Sequence, residues 1–420
     1  MTNIIIFTSE LHNKDSVLSC REKLFDYLKK QDEINLIRYE DIKNGFATIS
    51  NNNSNDKTLC FVATGGTEYK FKDIASTLPQ PIHIISDGYH NSLAASFEIC
   101  TWMTQHSYEF THTNFPLDFT KEDILPINLK VEYKNADELY ADSRVKCRLS
   151  HERIGLFGHE SEWLISSELD KKYLENRHKV KFIDISLDDV IEEFNKIFKV
   201  NTSNKIVGSK EIHKIDINSY NLNFPENRRN EIIKALCLYE AINVFVEKNK
   251  LTSLSIKCFD LLDPTHTTAC LALALLNDRG IISSCEGDLM SLWSMIISDT
   301  LFGNPGFQAN PSSSSIKDLT IDFAHCTIPF SMIDSYSLPT HYESGLGVGI
   351  KGILPKGEYS IFKIGNPRLD KYIKIGGTVL LNTEVKERCR SQIRFAFSNI
   401  SDYNTFFSKQ LGNHIIITKS

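Results

Sequence analysis

The stretch "ACLALALLNDRGIISSCEGDLMSLWSMI", residues 269–296, reads as a helix, a strand and a second helix in immediate succession. "ACLALALLND" is apolar at helical spacing, and Gly280 follows as a stop signal. "IISS" is a short strand, and the apolar run from Leu289 starts a helix with Asp288 at its N-cap. Such alternation belongs to α/β folds with parallel strands. The same stretch places Glu286 and Asp288 where the strand hands over to the helix, the edge at which open α/β sheets bind ligands. Capping, at ~1 kcal/mol, accounts for Asp288 alone and leaves Glu286 on a loop. In extended backbone, residues at i and i+2 point to the same side. The two carboxylates could then bind a divalent cation together, or one could act as a base beside it.

The alternation extends toward the N-terminus. "NIIIFTS" (3–9), "INLIRYE" (34–40), "TLCFVATGG" (58–66) and "PIHIISDG" (81–88) are strand-like. "CREKLFDYLKKQ" (20–31) and "NSLAASFEICTWMTQ" (91–105) are helical, the latter capped by Asn91 or Ser92. After a less regular stretch at 112–135 the pattern restarts at "RIGLFG" (153–158), with a helix expected around "WLISSELDKKYL". Beyond "SLWSMIISDTLFG" the chain turns into β-prone segments punctuated by Gly and Pro. The expected architecture is two doubly wound parallel-sheet α/β domains, 1–150 and 151–304, followed by an antiparallel, barrel-like β domain, 305–420.

With 420 residues, 41% hydrophobic and 24% charged, the chain has the composition of a multidomain soluble protein. Its net charge of −6 gives no reason to expect nucleic acid or an anionic membrane as partner. No run reaches the ~18 apolar residues of a membrane span, and the N-terminus lacks the basic region of a signal peptide. The ten cysteines are scattered without a C-x-x-C pair, which points to a reducing cytoplasm rather than a disulfide framework or zinc knuckle.

The β region supplies histidines in unusual settings. His325 stands in the apolar strand "DFAHCTIP", His341 and Glu343 beside the glycine-rich "LPTHYESGLGVG", and His414 before the last strand in "LGNHIIIT". Imidazole with carboxylate oxygen suits manganese, iron, zinc or cobalt. "ATGGTEYK" (63–70) fits neither phosphate-loop spacing and reads as a strand-end turn or a loop facing substrate. In "CFDLLDPTHTT", Asp263-Pro264 starts a helix; "NPSSSS" (310–315) reads as a solvated loop, though Asn310 could face a site. Nucleophilic catalysis through Cys285 or Cys326 has no local signature.

"SSCEGDLMSLWSMIISDTLFGNPGFQANPSS", "AHCTIP", "HYESGLGVGIKG", "CRSQI" and "GNHIII" resemble, in that order, the C-terminal half of the L-fucose isomerase and L-arabinose isomerase superfamily. "TGGTE", "NSLAA" and "GHESEWLISS" extend the resemblance to a shorter, sugar-isomerase-like branch of it. It implies a metal-dependent aldose–ketose isomerase, usually with manganese, assembled as a trimer or hexamer with sites near subunit interfaces. By motif, Glu286 matches the acidic position of the arabinose-type "GEGD", and Asp288 the metal-binding aspartate of the fucose type. His325 and His414 match histidine ligands. The resemblance thus implies a ligand set of Glu286, Asp288, His325 and His414, with Glu286 and Asp288 dividing the base and metal roles. His341, Glu343, Asn310 and Gln308 would bind the sugar. There is one departure. Where the arabinose type has a second catalytic carboxylate, this chain has Gln308 and Asn310; the fucose-type position near "DPTHT" holds no glutamate either. His341 or Glu343 would have to stand in. Two alternatives follow: a sugar-binding or regulatory protein that lost the chemistry, or a metal-dependent epimerase or lyase on a related sugar.

Overall fold

The computed structural model describes residues 1–12, 14–47, 57–117, 119–127, 133–202, 215–408 and 411–419. Thr2–Phe7 is buried along its whole length, which only a strand covered on both faces achieves. It lies inside a six-stranded sheet with Ile34–Arg38 on one side and Lys57–Val62 on the other, both parallel to it. Ile82–Asp87 and Phe110–Phe115 continue the parallel run, and Leu125–Ile127 closes it antiparallel. Chain order reverses between Thr2–Phe7 and Lys57–Val62, which makes this a doubly wound sheet with its switch point there.

The second sheet repeats the plan with four parallel strands: Lys181–Ile185, Arg153–Phe157, Ser253–Ile256 and Ile282–Ser284 across the sheet. Its switch point lies between Arg153–Phe157 and Ser253–Ile256. Ile282–Ser284 is the strand read from "IISS", and it leads through Cys285–Asp288 into the helix Leu289–Phe302. That helix is apolar on every side because every side is covered. Its residues pack with Ile154, Leu156 and Ile282 of the second sheet and with Phe362, Ile364 and Ile416 of the β region in one core. Gly303, at φ +73, ends it in the left-handed conformation that glycine adopts without a Cβ clash.

Residues 307–418 form a closed antiparallel barrel. Gly357–Gly365, Ile415–Thr418, Phe307–Ser315, Thr320–His325, Ser391–Phe397 and Lys371–Asn382 pair in that order, and the last pairs back to the first. Closure removes the open edges that would otherwise template aggregation. Lys134–Asn135 adds a short strand to the outside of Lys371–Asn382. The core joins Phe307, Phe323, Ile361 and Phe395 of the barrel to Leu93 and Phe97 of the first α/β region.

Two local readings need correction. "NPSSSS" is no solvated loop: it belongs to the barrel strand Phe307–Ser315 and is mostly buried. Its serines are small enough to lie against the first sheet, where Leu117 N donates to Ser313 Oγ and Asn114 Nδ2 to Ser314 Oγ. "WLISS" is not helical; the helix there is Lys171–His178, capped by Asp170. The intervening segment instead bonds to Glu98, with Ser166 N donating to Glu98 Oε1 at 2.6 Å. Among the described residues, no helix is long and apolar enough to cross a membrane. All ten cysteines are free thiols.

Candidate metal centre

The two switch points and one end of the barrel open onto a common cavity of about 620 Å³, a size suited to a small ligand. Ser9, from the loop after Thr2–Phe7, and Gly65 and Gly66, after Lys57–Val62, line it from the first sheet. Trp163 follows Arg153–Phe157, Phe259 follows Ser253–Ile256, and Glu286 follows Ile282–Ser284. The barrel adds Asn310, Glu343 and Asn413.

Glu286 reaches the cavity because its backbone is not extended. Glu286 and Gly287 have φ of +62 and +68, so the expected same-side projection of Glu286 and Asp288 does not occur. Two hydrogen bonds hold this unusual turn, and its tightness requires glycine at 287. Ser161 Oγ donates to Glu286 O at 2.6 Å, Gly287 N donates to Ile256 O at 2.9 Å, and a Cβ at Gly287 would meet His159 O at 2.7 Å. A non-glycine residue at positive φ costs free energy, and such positions cluster at functional sites.

Glu286 Oε1 lies 3.5 Å from Nε2 of both His325 and His414, and Glu286 Oε2 accepts from Trp163 Nε1 at 2.9 Å. One donor atom from each of Glu286, His325 and His414 lies within 4.8 Å of the others. The outer nitrogens are tied back: His325 Nδ1 to Thr327 Oγ1 at 2.9 Å and His414 Nδ1 to Asp288 Oδ2 at 2.9 Å. That leaves both Nε2 atoms toward Glu286, and His414 Nε2 is buried without a hydrogen-bond partner. Histidine ligands commonly have one nitrogen fixed by a carboxylate or hydroxyl and the other presented to a metal. The donor set therefore fits a first-row divalent ion, for which imidazole and carboxylate are suitable ligands.

Asp288 stands behind this cluster. It is fully buried, caps the helix by accepting from Ser291 N at 2.7 Å, and faces Lys363 Nζ at 3.4 Å. Burial alone would raise its pKa, but Lys363 and His414 hold it well below the usual carboxylate range. Burial also pulls His414 down, yet Glu286 and Asp288 outweigh it and push the imidazole up to about 9. Glu286 is likewise held ionised against burial by the two histidines. We expect Asp288→Asn to leave the fully buried Lys363 charge without its carboxylate partner. Breaking a buried pair costs about 3–5 kcal/mol, which denaturant unfolding of the metal-free protein would detect.

The remaining sugar-binding expectations separate. Asn310 lines the cavity, and its Oδ1 is buried and unpartnered. Glu343 lines it too, its Oε1 accepting from Asn91 Nδ2 at 2.8 Å; burial and then the Glu286 charge push its pKa up to about 8. Gln308 instead braces the turn, its Oε1 accepting from Cys285 N at 2.8 Å. His341 bonds Ser344 Oγ through Nδ1 and packs edge-on to Phe259, with burial lowering its pKa to about 4. Cys285 Sγ faces Cys258 Sγ at 3.3 Å, and Cys326 packs with Cys270 and Cys389; neither thiol lines the cavity.

Trp163, Asn91 and Asn413 are wall residues to which the sequence reading gave no part in the site. Each lies inside or beside a motif that it quoted, "GHESEWLISS", "NSLAA" or "GNHIII". Asn91 occupies the helix-cap position, at φ +59, but makes no capping bond with its side chain, which reaches Glu343 instead.

Two α/β sheets, a closed barrel and a carboxylate–imidazole cluster at their junction define the kind of protein this is. No protein-family model matches the chain. A stretch of 105 residues is 35% identical to a sulfoquinovose isomerase of Clostridium sp. (strain MSTE9), covering 25% of this chain and 23% of that relative's length.

Proposed function

We propose that this protein is a metal-dependent ketol-isomerase that interconverts an aldose and a ketose. The single observation that carries the reading is the convergence of Glu286, His325 and His414, with Glu286 and the ionisable Glu343 both lining one cavity. The partial match to a sulfoquinovose isomerase supports a sugar as substrate and an aldose–ketose exchange as reaction. Glu286, His325 and His414 would hold the ion, manganese being the expected one. Asp288, in this reading, orients His414 rather than joining the ligands.

A bound divalent ion supplies electrostatic stabilisation where negative charge develops on the sugar oxygens. The rest is proton transfer by the chain. Glu286, held ionised, takes the proton from C2 of the aldose. The C2–H electron pair becomes the C1=C2 bond of an enediol as the carbonyl oxygen at C1 takes up a proton. Returning a proton to C1 while the C2 hydroxyl loses its own gives the ketose. In this reading Glu343, kept protonated by burial, exchanges the hydroxyl proton and stands in for the carboxylate missing at Gln308 and Asn310. Asn310, Asn413 and Trp163 would orient the sugar.

The test is to load the purified protein with manganese, incubate it with a panel of aldoses and ketoses, and identify products by NMR. Interconversion of an aldose with its ketose supports the reading. Epimers or cleavage products would assign different enediolate chemistry, and metal-independent sugar binding without turnover would make the protein a binding protein. A homo-oligomer, trimeric or hexameric, with sites near subunit interfaces and a cytoplasmic location complete the proposal. Sedimentation of the purified chain checks the first of these.

A further inference from the structure

Glu286 has two tasks in an isomerase, ligating the ion and taking a proton, and its two oxygens face different neighbours. Oε1 is the oxygen that both imidazole Nε2 atoms face at 3.5 Å. Oε2 accepts from Trp163 Nε1 at 2.9 Å. Of the three clustered donors Glu286 is the one in the cavity wall, its side chain 12% exposed against 4% for His325 and 0% for His414. The carboxylate therefore spans from the imidazoles to the open space, with Trp163, itself a wall residue, on its second oxygen.

The indole is held in place independently of that bond. Its ring packs edge-on against Phe259, with centroids 5.3 Å apart and planes at 90°. Its backbone belongs to a segment pinned on both sides. Ser161 Oγ donates to Glu286 O at 2.6 Å, and Ser166 N donates to Glu98 Oε1 at 2.6 Å. One short segment thus grips Glu286 twice, at the carbonyl and at the carboxylate. Carboxylates bind divalent ions through one oxygen or through both, and chelation through both would turn Oε2 away from the cavity. An indole N–H only donates, whereas an ionised carboxylate offers about four lone-pair sites. With Oε1 on the ion and one site of Oε2 on Trp163, a second site of Oε2 remains for the sugar.

We propose that Trp163 is a positioning residue that divides the work of Glu286. Its N–H holds Oε2 off the ion, so that Oε1 alone is the metal ligand and Oε2 is the oxygen that takes the C2 proton. That proton passes to Oε2 while the C2–H electron pair enters the C1=C2 bond and the C1 oxygen takes up a proton. The inference rests on the isomerase reading for the proton step; which oxygen meets the ion does not depend on it.

The test follows the indole N–H of the full chain by nuclear magnetic resonance, with zinc as a diamagnetic probe of the site. The chain has three tryptophans, and the Trp163 signal is the one that Trp163→Phe removes and Glu286→Gln shifts. On zinc loading it is expected to stay downfield and slow to exchange, as a hydrogen-bonded donor does. Movement to the position of a free indole, with fast exchange, means that Oε2 has turned to the ion and overturns the proposal. Kinetics of the manganese-loaded protein give the second readout. Trp163→Phe keeps the ring against Phe259 and loses the donor. Loss of a hydrogen bond to a charged group predicts a fall in kcat of roughly ten- to hundredfold, with KM and manganese affinity close to those of the wild type. An unchanged kcat, or a manganese affinity that falls in step with kcat, also overturns it. The isomerase reading fails separately. A panel of sugars without turnover removes the proton step, and the indole signal still decides which oxygen meets the ion. An N–H released by zinc in a protein that turns over sugar retains the isomerase and removes this division of labour.

Discussion

Glu286→Gln is expected to abolish tight manganese binding and to lower turnover by roughly 10²–10⁴-fold, the range by which a positioned acid or base contributes. The substitution keeps the side-chain volume and retains a carbonyl oxygen that can still accept from Trp163 Nε1, so the turn between Ile282–Ser284 and the helix Leu289–Phe302 should persist. What it removes is the negative charge that both imidazoles face at 3.5 Å. The measurement is a manganese titration followed by electron paramagnetic resonance, run beside the isomerase assay and a thermal melt of the metal-free protein. An unchanged melt with lost metal binding and lost turnover supports the assigned role. Retention of full metal affinity would show that the ligands lie elsewhere and would remove the basis of the proposed function. His414→Ala gives an independent check, since it deletes an imidazole nitrogen of the cluster that is buried without a hydrogen-bond partner. It should weaken the metal while leaving the Trp163 contact intact.

The overall layout was legible in the sequence because each part carries its own period. "NIIIF" announces a strand covered on both faces, and the run after Asp288 announces a helix with no exposed side. The Gly- and Pro-punctuated stretch beyond residue 305 announces antiparallel pairing, although closure into a barrel depends on Gly357–Gly365 meeting Lys371–Asn382 on one side and Ile415–Thr418 on the other. The strand Phe307–Ser315 escaped notice because serines carry neither hydrophobicity nor β-branching. They are buried by fit against the first sheet, a tertiary effect that no local pattern encodes.

The site was legible residue by residue and illegible in its geometry. Glu286, His325 and His414 could be picked out one at a time, but the left-handed φ at Glu286 reverses the projection inferred from i, i+2 spacing. That backbone is held by hydrogen bonds to Ser161 and Ile256, far away in sequence, and the close approach of His159 leaves room at 287 for glycine alone. The same applies to Asp288. Its capping role was readable from its position before an apolar run, whereas its contacts with Lys363 and His414 join residues 75 and 126 positions away. Such pairings need the barrel to be folded against the second sheet before they exist.

Glu343→Gln should reduce turnover by roughly 10²–10⁴-fold while leaving manganese affinity close to that of the wild type, because Glu343 is not among the three clustered donors. Its special property is that burial, and then the Glu286 charge, raise its pKa to about 8, so that it carries a proton near neutrality. A group that works as the protonated acid gives activity that falls as pH rises through its pKa. The wild-type profile should therefore show an alkaline limb above the ordinary carboxylate range, and the variant's residual activity should lack it. Asn91 sharpens the test. Its Nδ2 donates to Glu343 Oε1 and favours the ionised form, so Asn91→Ala should move the limb to higher pH. Stability supplies a readout that does not depend on turnover. The folded protein holds the Glu343 proton more tightly than the unfolded chain, so this group's stabilisation is complete below the ordinary glutamate pKa of 4.5 and is lost as pH rises toward about 8. Glu343→Gln cannot ionise, and its unfolding free energy in the metal-free state should be flatter across that window than the wild type's. A wild-type profile without the limb, or a variant that retains full activity, would return the second proton transfer to another group, such as His341, which packs on Phe259 of the cavity wall.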